Sequence, residues 1–353
     1  EVAKFVLFEM VEESGIELLL HTWVSDAITA DGAIRGLIVE NKGGRSALLA
    51  KVVVDATGDA DVAARAGAPF TLRPVEERWG PGMMSLMCGV DIAKTYDYLK
   101  RHPDEFTGNK PLAELEESVN GDYQLSGRVF SGFPELIRKA VANDDFDERD
   151  QVGFFCLGRG IVMLSGYPGP NGPRTDCLDP EQLTRSEVIF RKWQWRKANF
   201  LRKYVPGFEQ ASLIATGVYL SVRETRSLLS EHVLNGEDVL ASREFEDTVL
   251  SVPDATASAF VHMIPDHPTA PDEGRVGDLH VPYRSLLPRE VDNLLVAGRP
   301  VAYLIASGAL VGQVAGTAAA MSAVAGVAPR QLEVASLQRR LREQGCIDAA
   351  IAT

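Results

Sequence analysis

Residues 291–326, VDNLLVAGRPVAYLIASGALVGQVAGTAAAMSAVAG, pass without a break from a short apolar run through a Gly-Arg turn into a helix of small residues. Leu294-Leu295-Val296-Ala297 is too short for a buried helix and, with turn residues on both sides, suits a strand buried on both faces. Gly298 then permits a backbone approach that a Cβ would block. From Ser307 to Ala325 small residues predominate, and Gly308, Gly312 and Gly316 share one helical face. That spacing predicts a helix lying very close to a sheet or a ligand, with an amino end that favours negative charge.

A second stretch has the same grammar. Val52-Val53-Val54-Asp55 reads as a β-branched strand, Ala56-Thr57-Gly58-Asp59 as a glycine turn, and the run to Gly67 as an alanine-rich helix capped by Asp59 or Asp61. Two such units are the minimum for a nucleotide-binding α/β sheet, although strand–glycine–helix turns also serve as plain connections throughout α/β proteins.

Composition narrows the class. A chain of 353 residues, 45% hydrophobic and 24% charged, is long enough for two domains with real cores. A net charge of −13 leaves no excess of Lys or Arg to neutralise phosphates, which argues against nucleic acid as a partner. The basic pairs Arg191-Lys192, Arg196-Lys197 and Arg202-Lys203 spread around a helix and read as a solvated face. Cys88, Cys156, Cys177 and Cys346 form no C-x-x-C pair, which speaks against zinc, iron–sulfur and disulfide redox chemistry and for reduced thiols. No apolar run is read as membrane-spanning, Glu1-Val2-Ala3-Lys4 does not open like a signal peptide, and a cytoplasmic protein with no membrane partner is expected.

The segments VVVDATGDADVAARAGAPF, LTRSEVIFRKWQWRKANFLRKYVPGFE, VRETRSLLSEHVLNGEDVL, VPYRSLLPREVDNLLVAGRP and GQVAGTAAAMSAVAG occur in one order over nearly the whole chain. That ordered set resembles a family of bacterial FAD-dependent oxidoreductases, a branch of the two-dinucleotide-binding-domain flavoprotein superfamily. The resemblance implies an α/β chain in which a Rossmann-like FAD-binding domain, 1–68 with 286–330, carries an inserted α+β substrate domain, 69–285. It implies FAD as cofactor and a hydride passed between a small organic substrate and flavin. The family opens with a strand and G-x-G-x-x-G that hold the FAD pyrophosphate. That motif is absent here, so the FAD-binding domain is expected to be partial, lacking its first nucleotide-binding unit. The family also carries a longer connection with a histidine and an arginine after its Gly-Arg turn, whereas Pro300 to Ala306 has neither.

Within this frame Val2 to Ser14 is predicted as a helix, with Val2, Phe5, Val6, Met10 and Val11 at helical spacing, and Ile16 to His21 as the next strand. Residues 22–50 alternate apolar and polar positions around Asp31-Gly32 and Gly43-Gly44, as in a small antiparallel excursion. Pro180 to Val205 reads as a long helix with Leu183, Val188, Trp195 and Leu201 as its core stripe, Thr184, Glu187 and Lys192 outward, and Trp193 and Trp195 as packing residues. Residues 331–353 read as a carboxyl-terminal surface helix, Val334–Gly345, and a tail.

For the cofactor, the resemblance points to Thr57, Gly58, Asp59, Gly298 and Arg299 along the FAD diphosphate and ribityl chain, and to Ser307, Gly308 and Gly312 at the start of the last helix. A helix amino end there stabilises the charge that reduction leaves on the flavin. For substrate, Val222-Arg223-Glu224-Thr225-Arg226 offers two guanidinium groups, and a planar fork pairs bidentately with a carboxylate. The same motif reads equally well as an internal salt bridge. Tyr283 and Arg284 reach the active-site cleft or brace the crossover back to the FAD domain. His262, His267 and His280 stand among Asp266, Asp272 and Asp278 at a spacing that fits no zinc signature, and no metal is expected. His262 or His280 is a candidate general acid only by type. Asp55, Asp59 and Asp61 raise a carboxylate pair, which capping explains more simply. Two other readings stand beside the enzyme: a non-catalytic or partner-dependent subunit of the same fold, and a nicotinamide-dependent dehydrogenase, disfavoured for want of a complete fingerprint. A monomer and a homodimer are both compatible with the composition.

Overall fold

A computed structural model of the chain describes residues 2–108, 112, 129–147, 152–166, 173–252, 278–299 and 305–346. His262, His267, Asp266, Asp272 and the connection 300–304 lie outside the described residues. The chain divides into two compact units, one formed by Glu1–Leu72 with Arg226–Thr353 and the other by Arg73–Thr225.

The first unit begins with helix α1 (Val2–Glu13), which buries none of its residues. Ile16, Leu18, Leu19 and Leu20 follow as exposed, unpaired chain, so the strand expected over Ile16–His21 does not form. A strand persists only when a neighbour takes up its backbone groups, and among the described residues no strand pairs with this segment. The expected excursion then appears as the antiparallel sheet β1 (Trp23–Ala30), β2 (Ala33–Asn41) and β3 (Gly44–Leu49). Asp31 and Gly32 join β1 to β2 with φ of 52° and 72°, the left-handed pair that a tight hairpin requires. Next come β4 (Val53–Asp55), helix α2 (Asp61–Arg65) and β5 (Phe70–Thr71).

The second unit contains β6 (Ser85–Cys88), α3 (Ile92–Arg101), β7 (Val129–Ser131), α4 (Pro134–Ala142), β8 (Gly153–Gly158), β9 (Ile161–Leu164), α5 (Pro180–Tyr204) and β10 (Ser212–Thr216). Its strands form one antiparallel sheet in the order β10-β6-β9-β8-β7. Asp179 caps α5, accepting from the Glu181 and Gln182 amides, and Pro180 fits the first turn, where no backbone donor is needed. The phase of this helix differs from the expected stripe. Phe190, Trp193, Gln194, Lys197, Ala198 and Leu201 are buried, while Val188 is 48% and Trp195 57% exposed. The buried face includes polar side chains because each finds a partner across the unit. Ser85 Oγ donates to Gln194 Oε1 at 2.9 Å, Gln194 Nε2 donates to Met83 O, and Lys197 Nζ donates to Ser165 O at 2.8 Å while lying over the Trp193 ring. Gln194→Leu would strand the Ser85 hydroxyl and the Met83 carbonyl, so a loss of about 1–3 kcal/mol is expected in urea denaturation.

The chain re-enters the first unit at Arg226 rather than at 286. Residues 226–252 and 278–285, placed with the insert by the sequence reading, pack here because β11 (Ser227–Leu228) pairs with β5, and β12 (Thr248–Val252) pairs with β13 (Leu279–Pro282) against the core of this unit. Helix α6 (Gly236–Leu240), β14 (Leu294–Val296), α7 (Ile305–Ala325) and α8 (Val334–Glu343) complete the unit. Strand β14 runs parallel to β4 with Leu294, Leu295 and Val296 opposite Val53, Val54 and Asp55, a mixed α/β arrangement. Val311, Val314, Ala315 and Ala318 of α7, with Leu337 and Leu341 of α8, join this pair in one apolar core. The face of α7 that packs is therefore not the glycine face. A Cβ at Gly308, Gly312 or Gly316 would meet no described atom within 4 Å. Over Gly308–Ala325 this helix is also long and apolar enough to cross a membrane by length and composition, with a mean hydropathy of 1.4, where the sequence reading counts no such run.

Candidate functional site

Parallel pairing of β4 and β14 brings both glycine turns to the carboxyl ends of adjacent strands, the place where open α/β sheets bind ligands. Ala297 N donates to Asp55 O at 2.9 Å and carries the pairing one residue beyond the strands.

Asp55 organises the first turn. Its side chain is 1% exposed, and its Oδ1 accepts from Thr57 N at 3.0 Å and Thr57 Oγ1 at 2.7 Å while Oδ2 accepts from Ala63 N at 2.9 Å. Thr57 Oγ1 in turn accepts from Asp61 N at 3.0 Å. Thus Asp55 and Thr57 supply the acceptors that the amino end of α2 needs. The expected caps, Asp59 and Asp61, do not, since the residue before the helix is Ala60 in a left-handed conformation and no side-chain cap bond is made from it.

Asp59 and Asp61 instead receive arginines. Arg299, from the second turn, donates through Nε to Gly58 O at 3.0 Å and through Nη2 to Asp59 Oδ2 at 2.9 Å. Its guanidinium roofs Gly58, with Nη2 3.0 Å from where a Cβ would stand, and Gly58 has a φ of +84°. Only glycine meets both conditions without strain. Arg226 Nη1 donates to Asp59 O at 3.0 Å and Asp61 Oδ1 at 2.8 Å, and its guanidinium lies over the Phe70 ring. Sequence spacing gave no sign that Arg226 meets Asp61, because the partners stand far apart in the chain.

The proposed substrate residues each have partners of their own. Arg223 belongs to the second unit, over the Trp79 ring at 5.1 Å, and Glu224 binds Arg73 through Arg73 Nε at 2.7 Å and Nη2 at 2.5 Å. Glu224 is thus paired with an arginine from outside the motif. Tyr283 is 2% exposed, its hydroxyl donates to Pro329 O at 2.9 Å, and burial, reinforced by Glu231, pushes its phenol well above the ordinary range. A phenol so placed holds the crossover and offers no surface to a substrate. Arg284 pairs with Asp247 and lies over the Phe245 ring. His280 Nδ1 shares a hydrogen bond with Ser251 Oγ at 2.8 Å. No group of three or more His, Cys, Asp or Glu side chains suited to a metal ion occurs among the described residues.

The four cysteines are free thiols. Burial raises the Cys156 thiol to about 12 and also raises Cys346, so both stay protonated at neutral pH. Alkylation of the native protein at pH 8 is expected to label the half-buried Cys88 and Cys177 well before Cys156 and Cys346, as peptide mass mapping would read.

A diphosphate-bearing cofactor fits the turn residues in chemistry and in space. Arg299 brings a cation between the turns, Gly298 takes a φ of +89°, and no described atom lies within 4 Å of where a Cβ would stand at Gly298, Gly308 or Gly312. Ser307 lies in the first turns of α7, whose amino end follows the second turn after residues 300–304.

A family model described as FAD dependent oxidoreductase matches residues 1–341. No curated protein matches the chain. Among solved structures, a geranylgeranyl bacteriochlorophyll reductase-like protein from Thermoplasma acidophilum is 10% identical with a TM-score of 0.42, over 95% of this chain and 57% of that one. A myxobacterial chondrochloren halogenase, described as FAD-dependent, is 10% identical with a TM-score of 0.39, over 96% and 53%. The L-proline dehydrogenase of P. horikoshii is 12% identical with a TM-score of 0.30, over 96% and 58%. This chain thus spans between 53% and 58% of the length of these structures.

Proposed function

The chain belongs to the FAD-dependent oxidoreductase family, whose cofactor is FAD, and from that membership we propose that it passes a hydride between a small organic substrate and FAD. The observation that carries this reading is the pair of glycine turns held side by side by β4 and β14 and bridged by Arg299. When bound, FAD supplies the two-electron acceptor.

The protein's part is position and charge. Gly58, Gly298 and Arg299 hold the diphosphate, with Thr57 fixing the first turn and Asp59 orienting Arg299. Arg226 keeps that turn closed by tying Asp59 O to Asp61, so its role is positioning. The amino end of α7, at Ser307, Gly308 and Gly312, favours negative charge in the space the glycines leave open. Arg223, over the Trp79 ring within the second unit, is a cation whose planar fork suits a carboxylate. Partners are small molecules rather than nucleic acid, in keeping with the net charge of −13.

The test is the visible spectrum of the purified chain after FAD addition and desalting, followed by anaerobic bleaching with candidate substrates. Retained flavin bands that bleach support the reading, and a colourless protein overturns it. One observation favours the partner-dependent subunit instead, namely that α1 and the apolar residues Ile16, Leu18, Leu19 and Leu20 are exposed.

A further inference from the structure

Away from the glycine turns, at the opposite ends of β4 and β14, the first unit contains a cleft of about 340 Å³ lined by Arg35, Lys51, Val52, Asn293, Ser322 and Ala323 near the end of α7, and the residues Gly326–Ala328 that follow it. Strand pairing creates it. Ala50 N donates to Arg35 O at 3.0 Å, which sets Lys51 beside Arg35, and Val53 N donates to Asn293 O at 2.9 Å, which brings Asn293 to the same edge.

Three observations point to a ligand. First, two cations line the cleft and no carboxylate does, and neither Arg35 nor Lys51 has a side-chain partner among the described residues. Like charges side by side repel, an arrangement that an anion relieves. Second, Ser322 contributes to the lining, and its buried hydroxyl has no hydrogen-bond partner among the described residues. A buried polar atom left unpaired costs stability that a ligand acceptor would recover. Third, Val52, Ala323, Val327 and Ala328 add apolar wall, and the volume is that of a small-molecule pocket rather than of a bare ion. The carboxyl end of α7 opposes an anion with only about half a unit charge, against two full charges from Arg35 and Lys51.

We propose that this cleft binds a small organic oxyanion, whose carboxylate or phosphate lies between Arg35 and Lys51 and accepts from Ser322, and whose short apolar body lies along Val52 and Val327. The site is separate from the glycine turns and does not depend on the flavin reading. Calorimetric titration of the full chain with butyrate, propyl phosphate and inorganic phosphate tests it. Saturable binding of butyrate or of propyl phosphate is expected, the tighter one identifying the headgroup. Affinity should fall at least roughly tenfold, the equivalent of 1.4 kcal/mol, in the Arg35→Gln/Lys51→Gln double variant and roughly fivefold in Ser322→Ala. Arg35 and Lys51 are exposed, so their replacement leaves the core intact. The proposal is overturned if neither organic anion binds at millimolar concentration, if the double variant binds as well as the native chain, or if inorganic phosphate binds as tightly as either.

Discussion

Replacing Asp55 by alanine is expected to destabilise the first unit by about 3–5 kcal/mol and to abolish flavin retention. The carboxylate is 1% exposed and takes three donors, Thr57 N, Thr57 Oγ1 and Ala63 N. Hydrogen bonds to a charged acceptor are worth about 1.5–3 kcal/mol each, and the desolvation of a buried carboxylate offsets part of the sum. Truncation also frees Thr57, so Asp61 N loses its oriented acceptor and the turn that presents Gly58 to Arg299 loosens. Asp55→Asn keeps the size and can still accept from Thr57, but its amide cannot accept from Ala63 N, so an intermediate loss is expected. Urea midpoints and the absorbance of desalted protein would measure both effects. An alanine variant that holds flavin as well as the native chain would show that the turn is not organised from Asp55.

A loss of similar size is expected in the second unit from Phe154→Ala. Phe154 is fully buried on β8, directly opposite Phe130 on β7, with ring centroids 5.2 Å apart, and it also meets Phe208 edge-on at 5.1 Å and Phe133 at 6.4 Å. Truncating a buried phenylalanine costs about 3–5 kcal/mol through lost transfer energy and the cavity left behind, and each aromatic pair adds roughly 0.5–1.5 kcal/mol. Because β7 and β8 belong to the unit formed by 73–225, hydrogen exchange should accelerate most there. Equal acceleration in β4 and β14 would contradict that division. Phe154→Leu should retain most of the stability.

What could be read from the chain alone was whatever short-range pattern carries. Leu294-Leu295-Val296 and Val52-Val53-Val54-Asp55 announce their strands because a brief apolar run bounded by turns has few alternatives, and Asp31-Gly32 announces its hairpin because few residue pairs accept two left-handed conformations. What escaped depends on partners distant in sequence. Arg226 reads equally as a substrate clamp or a salt-bridge partner because Asp61, which it binds, stands outside its motif. The phase of α5 is not legible in its sequence because Gln194 and Lys197 resemble surface residues until Met83, Ser85 and Ser165 supply their hydrogen bonds. Ile16–His21 has the composition of a strand, but composition cannot provide a neighbour to pair with. The glycine spacing of α7 marks a face of its own but leaves open whether a sheet or a ligand meets it, and the sheet alternative fails because Val311, Val314, Ala315 and Ala318 make the packed side.

The bond from Arg299 to Gly58 spans 241 positions of sequence. During synthesis the amino-terminal turn therefore emerges long before the strand and the arginine that complete it, and closing so long a loop is slow. The segment 73–225 is continuous and contains its own core, so it can fold while the first turn waits. The Arg299 clasp thus acts in time as well as in space, making β14 the element whose arrival decides when the glycine turns first exist as a pair.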